Sequence, residues 1–391
     1  MLKKHALILT ASQGHLSIGL AVTDILTQSG WRCSMVKEIS RFSSPFWEAY
    51  NLFYRYAPHL FGSIFELGQQ PLIMGTGKLF MLFINAHKIV GELLVSRPDV
   101  IISTHFGYNP FLEVVAKTTS IPIINVVSDP RTIHPMIVMP PPAINLVFDQ
   151  SAAQYVQKLK PEAKVIVSGW FVRPNFYQLP AKAKIRRTLR IKPDKFVVTF
   201  VTGSTGTTSV LPLIKLVAKK MQHGYLIVVC GNNARLKKSL SEIVPHPTTK
   251  LKLIGFTHQV GGLMRVADLV VGKAGPNMLF EAVAVKVPFL ASTYISGQES
   301  GNIEIIKKNQ LGWVQTVPAR ASAQILNLQK NPDLLTGSKR QIATLAKHNQ
   351  ASGKILLELV DRLTKHTTIK HRFKLSDARR ILPRFISPDL H

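Results

Sequence analysis

Cysteine is almost absent: Cys33 and Cys230 are the only two, far apart in sequence. That excludes a disulfide framework and any cysteine spacing for zinc, and it fits a reducing compartment. Acidic residues are scarce as well, 21 Asp and Glu against 49 Lys and Arg, for a formal net charge of +28. Such an imbalance describes partners rather than fold, and it allows an anionic membrane, nucleic acid or a phosphate-bearing small molecule. No apolar run reaches the roughly 18 residues that would suggest a bilayer-spanning helix. The opening "MLKKHALILTAS" imitates a signal peptide, but its apolar run is short and no clean cleavage site follows. It reads as a first strand. The expected location is the cytoplasm, peripheral on the cytosolic face of a membrane.

What is present is a long, globular pattern. A chain of 391 residues with 46% hydrophobic content exceeds one ordinary core and predicts two domains. Short apolar runs such as "HALILTA", "DVIISTH" and "INLVF" suit strands covered on both faces. They alternate with helix-like runs, as in "LSIGLAVTDILTQSG", and Ser151 is the expected N-cap of "SAAQYVQKL". A second series runs from "FVVTFVTG" to "NIEIIKKN". Repeated β/α units with short connections predict an α/β fold of two Rossmann-like, doubly wound parallel sheets facing a cleft. The charge is uneven: the excess begins at Arg173 and continues through "AKAKIRRTLRIKPDK". We therefore expect an N-terminal domain over 1–170, a basic linker over 171–195 and a C-terminal domain over 196–340. Amphipathic helices at 341–365, one long pattern from about 341 to 364, and a basic tail at 366–391 complete the chain.

Several strand-to-helix junctions carry candidate chemistry. "VTGSTGTT" offers Gly203, Ser204, Thr205 and Gly206, where backbone amides at a helix start could approach a phosphate. It lacks the Gly-Lys-Ser/Thr of a P-loop, and a plain tight turn is the alternative. "GKAGPNMLFEA" puts Pro276 in a first helical turn, with Gly275 free to take angles other residues avoid. Glu281 follows, either a solvated helix carboxylate or an acceptor for a ribose-like diol. "SGQESGN" presents Gln298, Glu299 and Asn302, which suit sugar hydroxyls or simply form a polar loop. "SQGHLS" sets His15 at a helix start. The positive helix end lowers its pKa, so that it either caps its helix or accepts a proton from a hydroxyl. Asp129 and His134 in "VVSDPRTIHP" could orient it, act as base or form a loop ion pair. Residues 42–61 are dense in aromatics, with Phe46, Trp47, Tyr50, Phe53 and Tyr54 describing either core or an interfacial helix.

Taken in order, "SQGHLS", "PDVIISTH", "SDPRTIH", "VSGWFVRPNF", "VTGSTG", "CGNNARLKKSL", "LIGFTHQVGGLMRVADLVVGKAGPNMLFEA" and "SGQESGN" form a recognisable series. They resemble the monogalactosyldiacylglycerol synthase and processive diacylglycerol glucosyltransferase family. These are GT-B glycosyltransferases, of a family-28 kind, similar to the lipid-II-forming N-acetylglucosaminyltransferase. The stretch from Leu253 to Asn302 is the most specific part. The resemblance implies an inverting transfer of a hexose from UDP-glucose or UDP-galactose to a membrane lipid hydroxyl, most naturally diacylglycerol. The donor is then a substrate, and no metal or other cofactor is expected.

By the same resemblance His15 is the base or acceptor-binding group, accompanied by Asp129 and His134. Phe256 covers the uracil, and Asn232 also lines the donor site. Gly203 to Gly206 and the run Lys273, Ala274, Gly275, Pro276, Asn277 hold the diphosphate. Glu281 takes the ribose, while Gln298, Glu299 and Asn302 take the sugar. Phe46, Trp47, Tyr50, Phe53 and Tyr54 face the membrane and its acceptor, with the basic tail on an anionic surface. Departures at Asn277-Met278 and Ser300 bear on which sugar is taken. A UDP-GlcNAc-type transferase acting on a prenyl-linked glycan shares nearly all these motifs. A basic nucleic-acid binder is allowed by charge alone, but no binding module is present and no nucleic-acid partner is expected.

Overall fold

The computed structural model describes residues 3–11, 14–37, 71–203, 206–365 and 373–381. Phe46, Trp47, Tyr50, Phe53, Tyr54, Ser204, Thr205 and most of the basic tail therefore lie outside the described residues. The chain divides into two compact units. The first comprises residues 1–173, 296–298 and 351–391, and the second 174–295 and 299–350.

The first unit begins with β1 (His5–Leu9), α1 (Gly14–Gln28), β2 (Arg32–Val36) and α2 (Pro71–Ser96). It continues through β3 (Val100–Ser103), α3 (Asn109–Thr118), β4 (Ile123–Val126), β5 (Ile144–Val147), α4 (Gln150–Leu159) and β6 (Lys164–Val167). Every residue of β1, β3 and β4 is buried, as continuous apolar runs require in a sheet covered on both faces. The strands are parallel in the order β2-β1-β3-β4-β5-β6. The cap of α4 is Asp149, not Ser151: the helix begins at Gln150, and the Asp149 carboxylate accepts from Ala152 N. Arg131 holds the same carboxylate at 2.8 and 2.6 Å. A charged acceptor fixed in this way outcompetes a serine two positions further along.

The second unit starts with α5 (Lys182–Thr188), β7 (Phe196–Val201), α6 (Leu211–Lys220), β8 (Gly224–Val229), α7 (Ala234–Ser241) and β9 (Lys250–Ile254). Next come α8 (Val260–Arg265), β10 (Leu269–Lys273), α9 (Pro276–Ala284), β11 (Phe289–Thr293) and α10 (Ser300–Lys308). β12 (Gly312–Val314), α11 (Pro318–Lys330) and α12 (Thr336–Gln350) close it. Its parallel sheet runs β12-β11-β10-β7-β8-β9. Phe200, Val228 and Leu269 pack with Leu213, Ile214 and Val217 of α6 in one buried cluster. The two six-stranded parallel sheets with their helices are the pair of Rossmann-like, doubly wound sheets that the sequence leads one to expect.

Two stretches fold differently from the sequence expectation. Residues 174–195, expected within a linker, belong to the second unit. There α5 is tied down by Asp268, which bonds Lys182 Nζ at 2.6 Å and Arg186 at 2.8 Å. The basic cluster is thus part of a folded body rather than a solvated hinge. The single amphipathic pattern over 341–364 is two helices, because the chain breaks at Ala351. There α12 ends, and α13 (Ser352–Thr364) joins the first unit. A methyl added at Gly353 of α13 would sit 3.6 Å from Ile25 of α1. The start of the expected tail is also packed: Phe373, and Ala378 of α14 (Leu375–Ile381), lie in the same buried cluster as Phe111. Burying a phenylalanine is worth about 1.5–3 kcal/mol, and the neighbouring Lys374 stays exposed to water. Among the described residues no helix is long and apolar enough to cross a membrane.

Candidate active site

In each sheet the strand order reverses once, between β1 and β3 in the first and between β7 and β10 in the second. Loops leaving the carboxyl ends of such neighbouring strands diverge to opposite faces and leave a crevice for ligands. The sequence candidates sit at these two points.

In the first unit β1 leads to His15, which is half-buried near the start of α1. Its Nδ1 lies 2.8 Å from the Thr104 carbonyl. A carbonyl can only accept, so Nδ1 carries the hydrogen and Nε2 carries the lone pair. Burial lowers the pKa of His15, and the bond to Thr104 opposes that shift. The imidazole is therefore neutral near pH 7, with burial rather than the helix start as the main cause. Beyond β3 stands His105, which sequence reading missed. Its ring centroid is 4.4 Å from that of His15, edge-on, and its face stacks on Phe106. His105 Nδ1 accepts from Gly107 N at 3.0 Å, so its tautomer is opposite to that of His15. Burial holds its pKa well below the usual imidazole value, and the neighbouring His15 pushes it the same way. The available signal was its position at the end of an apolar strand-like run.

Asp129 follows β4, the next strand along the same edge, and is half-buried. His134 caps a 3-10 turn through Nδ1, which accepts from Met136 N at 3.1 Å. The carboxyl edge thus brings His15 and His105 into contact and sets Asp129 one strand beyond.

In the second unit β7 and β10 are hydrogen-bonded neighbours, so the loops at 203–206 and 273–276 leave side by side. Gly203 and Gly206 have φ of +78° and +67°. The amides of Gly206 and Thr207 bond within this turn, to Gly203 O and Thr202 O, and α6 starts only at Leu211. Both of these amides are thus used inside the turn. At α9 the arrangement is different. Pro276 occupies the first turn and Gly275 is the N-cap. The amides of Asn277 and Met278 lie where a helix supplies no acceptor of its own. Lys273 sits beside this start and bonds Glu299 at 2.5 Å. Positive helix end and ammonium together suit a diphosphate.

Other candidates are placed less simply. Glu299 is buried, one oxygen on Lys273 and the other accepting from Ile295 N at 2.9 Å. Its carboxylate thus steadies this loop. Asn302, also buried, donates to Ala274 O at 2.9 Å and braces the loop before α9. The Gln298 side-chain oxygen is buried and finds no partner among the described residues, so it is an acceptor suited to a hydroxyl donor. Glu281 lies half-buried on α9. Phe256 follows β9, is 54% exposed and meets His258 edge-on. Asn232 is exposed. Its neighbour Asn233 does the local bonding, donating to Gly206 O at 2.7 Å and capping α7 through Leu236 N. An asparagine directly before a helical run was the available signal. Among the described residues no group of three His, Cys, Asp or Glu side chains could hold a metal ion.

Two glycines at these junctions, Gly206 and Gly275, make opposite demands. A methyl on Gly206 would lie 2.3 Å from Cys230 O, which is backbone and cannot step aside. Gly275, at φ −71° and ψ 142°, takes the extended backbone favoured before proline rather than a glycine-only angle. A methyl there would meet nothing closer than 3.6 Å. Gly206→Ala should therefore cost about 1–3 kcal/mol of stability, and Gly275→Ala should stay within about 0.5 kcal/mol of wild type. Thermal unfolding of the two variants checks this; equal melting temperatures would refute it.

Comparison with known proteins gives the following matches. Residues 197–351 match the glycosyltransferase family 28 C-terminal domain. The processive diacylglycerol beta-glucosyltransferase of Bacillus subtilis is 26% identical over 391 residues, spanning 95% of this chain and 98% of that protein. Monogalactosyldiacylglycerol synthase 2 of Arabidopsis thaliana is 27% identical over 259 residues, 62% of this chain and 54% of the relative. Among solved structures, MurG of Acinetobacter baumannii aligns with a TM-score of 0.56 at 15% identity, covering 92% of this chain and 99% of that one. UGT89C1 of Arabidopsis thaliana complexed with UDP aligns at 0.58 with 16% identity, covering 93% and 100%. At these identities the structural likeness speaks for the fold alone.

Proposed function

Starting from a family 28 glycosyltransferase related to diacylglycerol glycosyltransferases and monogalactosyldiacylglycerol synthases, we propose a specific reaction. The protein moves a hexose from UDP-glucose or UDP-galactose to a membrane lipid hydroxyl, that of diacylglycerol, with inversion at the sugar carbon. The observation that carries this is the start of α9 beside Lys273, at the point where the second sheet reverses its order. A helix start and an ammonium meet there, as a leaving nucleotide diphosphate requires.

In this reading Lys273 and the first amides of α9 hold the diphosphate, and Glu281 takes the ribose hydroxyls. Phe256 lies over the uracil, and the orphaned oxygen of Gln298 accepts from a sugar hydroxyl. The lone pair on His15 Nε2 removes the proton of the acceptor hydroxyl as that oxygen attacks. His105 is a positioning residue: its ring edge and the Thr104 carbonyl fix the orientation and tautomer of His15. Phe46, Trp47, Tyr50, Phe53 and Tyr54 meet the lipid, and the protein works as a peripheral protein on the cytosolic face. Basic residues near an anionic surface would add about 1 kcal/mol each.

The test is direct. Labelled UDP-glucose, UDP-galactose and UDP-GlcNAc are each incubated with the protein and vesicles that carry either diacylglycerol or a prenyl-linked glycan, and the lipid products are identified. A β-linked hexosyl diacylglycerol is expected. Transfer only to a prenyl-linked acceptor, or none to any lipid, would overturn the assignment. Replacing Phe46 and Trp47 by alanine should weaken co-sedimentation with anionic vesicles; unchanged sedimentation would remove them from the membrane contact.

A further inference from the structure

At the other end of the second sheet, away from the α9 start, lies a cavity of about 330 Å³. It opens where β7, β10 and β11 begin, lined by Phe196, Asp268 and Pro288. A six-residue strand spans about 20 Å, so β7 separates this cavity from the loop at 203–206. Its walls carry six cationic side chains, Lys182, Arg186, Lys195, Arg265, Lys286 and Lys339, against the carboxylates of Asp194 and Asp268.

Those carboxylates do not neutralise the wall. Asp268 is fully engaged: one oxygen takes Lys182 Nζ, and the other takes Arg186 and Val197 N. Asp194 is mostly exposed and only 3.9 Å from Lys195. Among the described residues Arg265, Lys286 and Lys339 make no ion pair. Arg265 donates through one terminal nitrogen to Val285 O at 2.7 Å. Its Nε–H is buried with no partner among the described residues. Burial lowers the Lys182 pKa; Asp268 opposes this, and the nearby cations Arg186 and Lys339 add to it. Positive charge is thus crowded on one face of the cavity. A guanidinium fork with flanking ammonium groups matches a phosphate group in both charge and geometry. The volume is that of a small-ligand site.

We propose that this cavity is a second anion site, built for a phosphate ester of headgroup size. Arg265, Lys286 and Lys339, which make no ion pair among the described residues, supply its charge, and the site is separate from the one proposed for UDP. Its ligand is either the headgroup of an anionic phospholipid or a soluble phosphate ester, and the chemistry is shared. The site also gives the basic segment 182–195 a role that sugar transfer does not require.

The experiment uses the full chain with UDP in saturating amount, which occupies the donor site. Binding of glycerol 3-phosphate is measured by calorimetry, and binding of phosphatidylglycerol vesicles by sedimentation. Both are done with wild type, with K286A/K339A and with R265Q. The two lysines are exposed, so the double variant should unfold like wild type. At least one probe should bind wild type and bind the double variant about tenfold more weakly. A loss confined to vesicles assigns the lipid headgroup, and a loss confined to glycerol 3-phosphate assigns a soluble ester. R265Q should weaken the same probe. No binding of either probe to wild type, or equal binding by wild type and a folded K286A/K339A, would overturn the proposal. UDP is titrated separately into each protein before the probes are added, so a failed donor site is distinguished from a failed second site.

Discussion

His15→Ala is expected to lower glycosyl transfer about 10²–10⁴-fold while leaving affinity for UDP near that of wild type. The argument rests on tautomer and charge. Thr104 O fixes the hydrogen on Nδ1, so the nitrogen able to accept a proton is Nε2. Burial keeps the ring neutral at working pH. A base must be deprotonated to act, so the rate should fall as acid protonates His15. Because its pKa is lowered, that fall should come below the ordinary imidazole value of 6.5. His105→Phe keeps an aromatic edge beside His15 but loses the bond from Gly107 N. It should cost less rate than His15→Ala and shift the acid limb of the pH profile. Turnover of His15→Ala equal to wild type, with UDP binding intact, would remove His15 from the mechanism. Stability should show a related acid limb. Folded His105 resists protonation while the unfolded residue accepts a proton near 6.5. The unfolded state then binds more protons, and stability drops as pH falls below that value.

The largest loss of stability is expected from Asp268→Ala. The Asp268 carboxylate joins α5 to the starts of β7 and β10 through Lys182, Arg186 and Val197 N. The Arg186 side chain is only 9% exposed, and its other donors already bond the carbonyls of Val266, Pro193 and Lys195. Removing its counter-charge leaves a buried cation, a change that costs about 3–5 kcal/mol. Replacing the pair together, Arg186→Met with Asp268→Ala, should recover much of that loss, because the stranded charge is gone. Trp313 lies in the second unit, so its fluorescence during denaturant unfolding follows the unit concerned. An Asp268→Ala midpoint equal to wild type would show that the pair contributes nothing net.

Much of the fold was legible in sequence because its signals are local. Short apolar runs marked β1, β3 and β7, glycines marked the turn at 203–206, and Pro276 marked the first turn of α9. Less of the site was legible. Asn233, next to the candidate Asn232, clamps the glycine loop, and nothing local told which of two identical side chains would do so. Gly275 was free to take an unusual backbone angle, yet it adopts an ordinary one, because the following proline sets the conformation. The break at Ala351 was hidden because both flanking segments are helical; the units they join differ, and no local pattern records that.

By itself the sequence determined the alternation of strands and helices, the excess of positive charge and the residue types available at each junction. All of these depend on neighbours a few positions apart. Only the tertiary structure decided which junctions meet. Strand order sets β1 beside β3 and so His15 against His105, and it sets β7 beside β10, so that the chain leaves both strands at neighbouring points of one sheet edge. It also consumed Glu299 on Lys273, and joined Arg186 to Asp268 across 82 positions. Periodicity reports which face of an element is buried, whereas a charge finds its partner only once distant strands have been placed side by side.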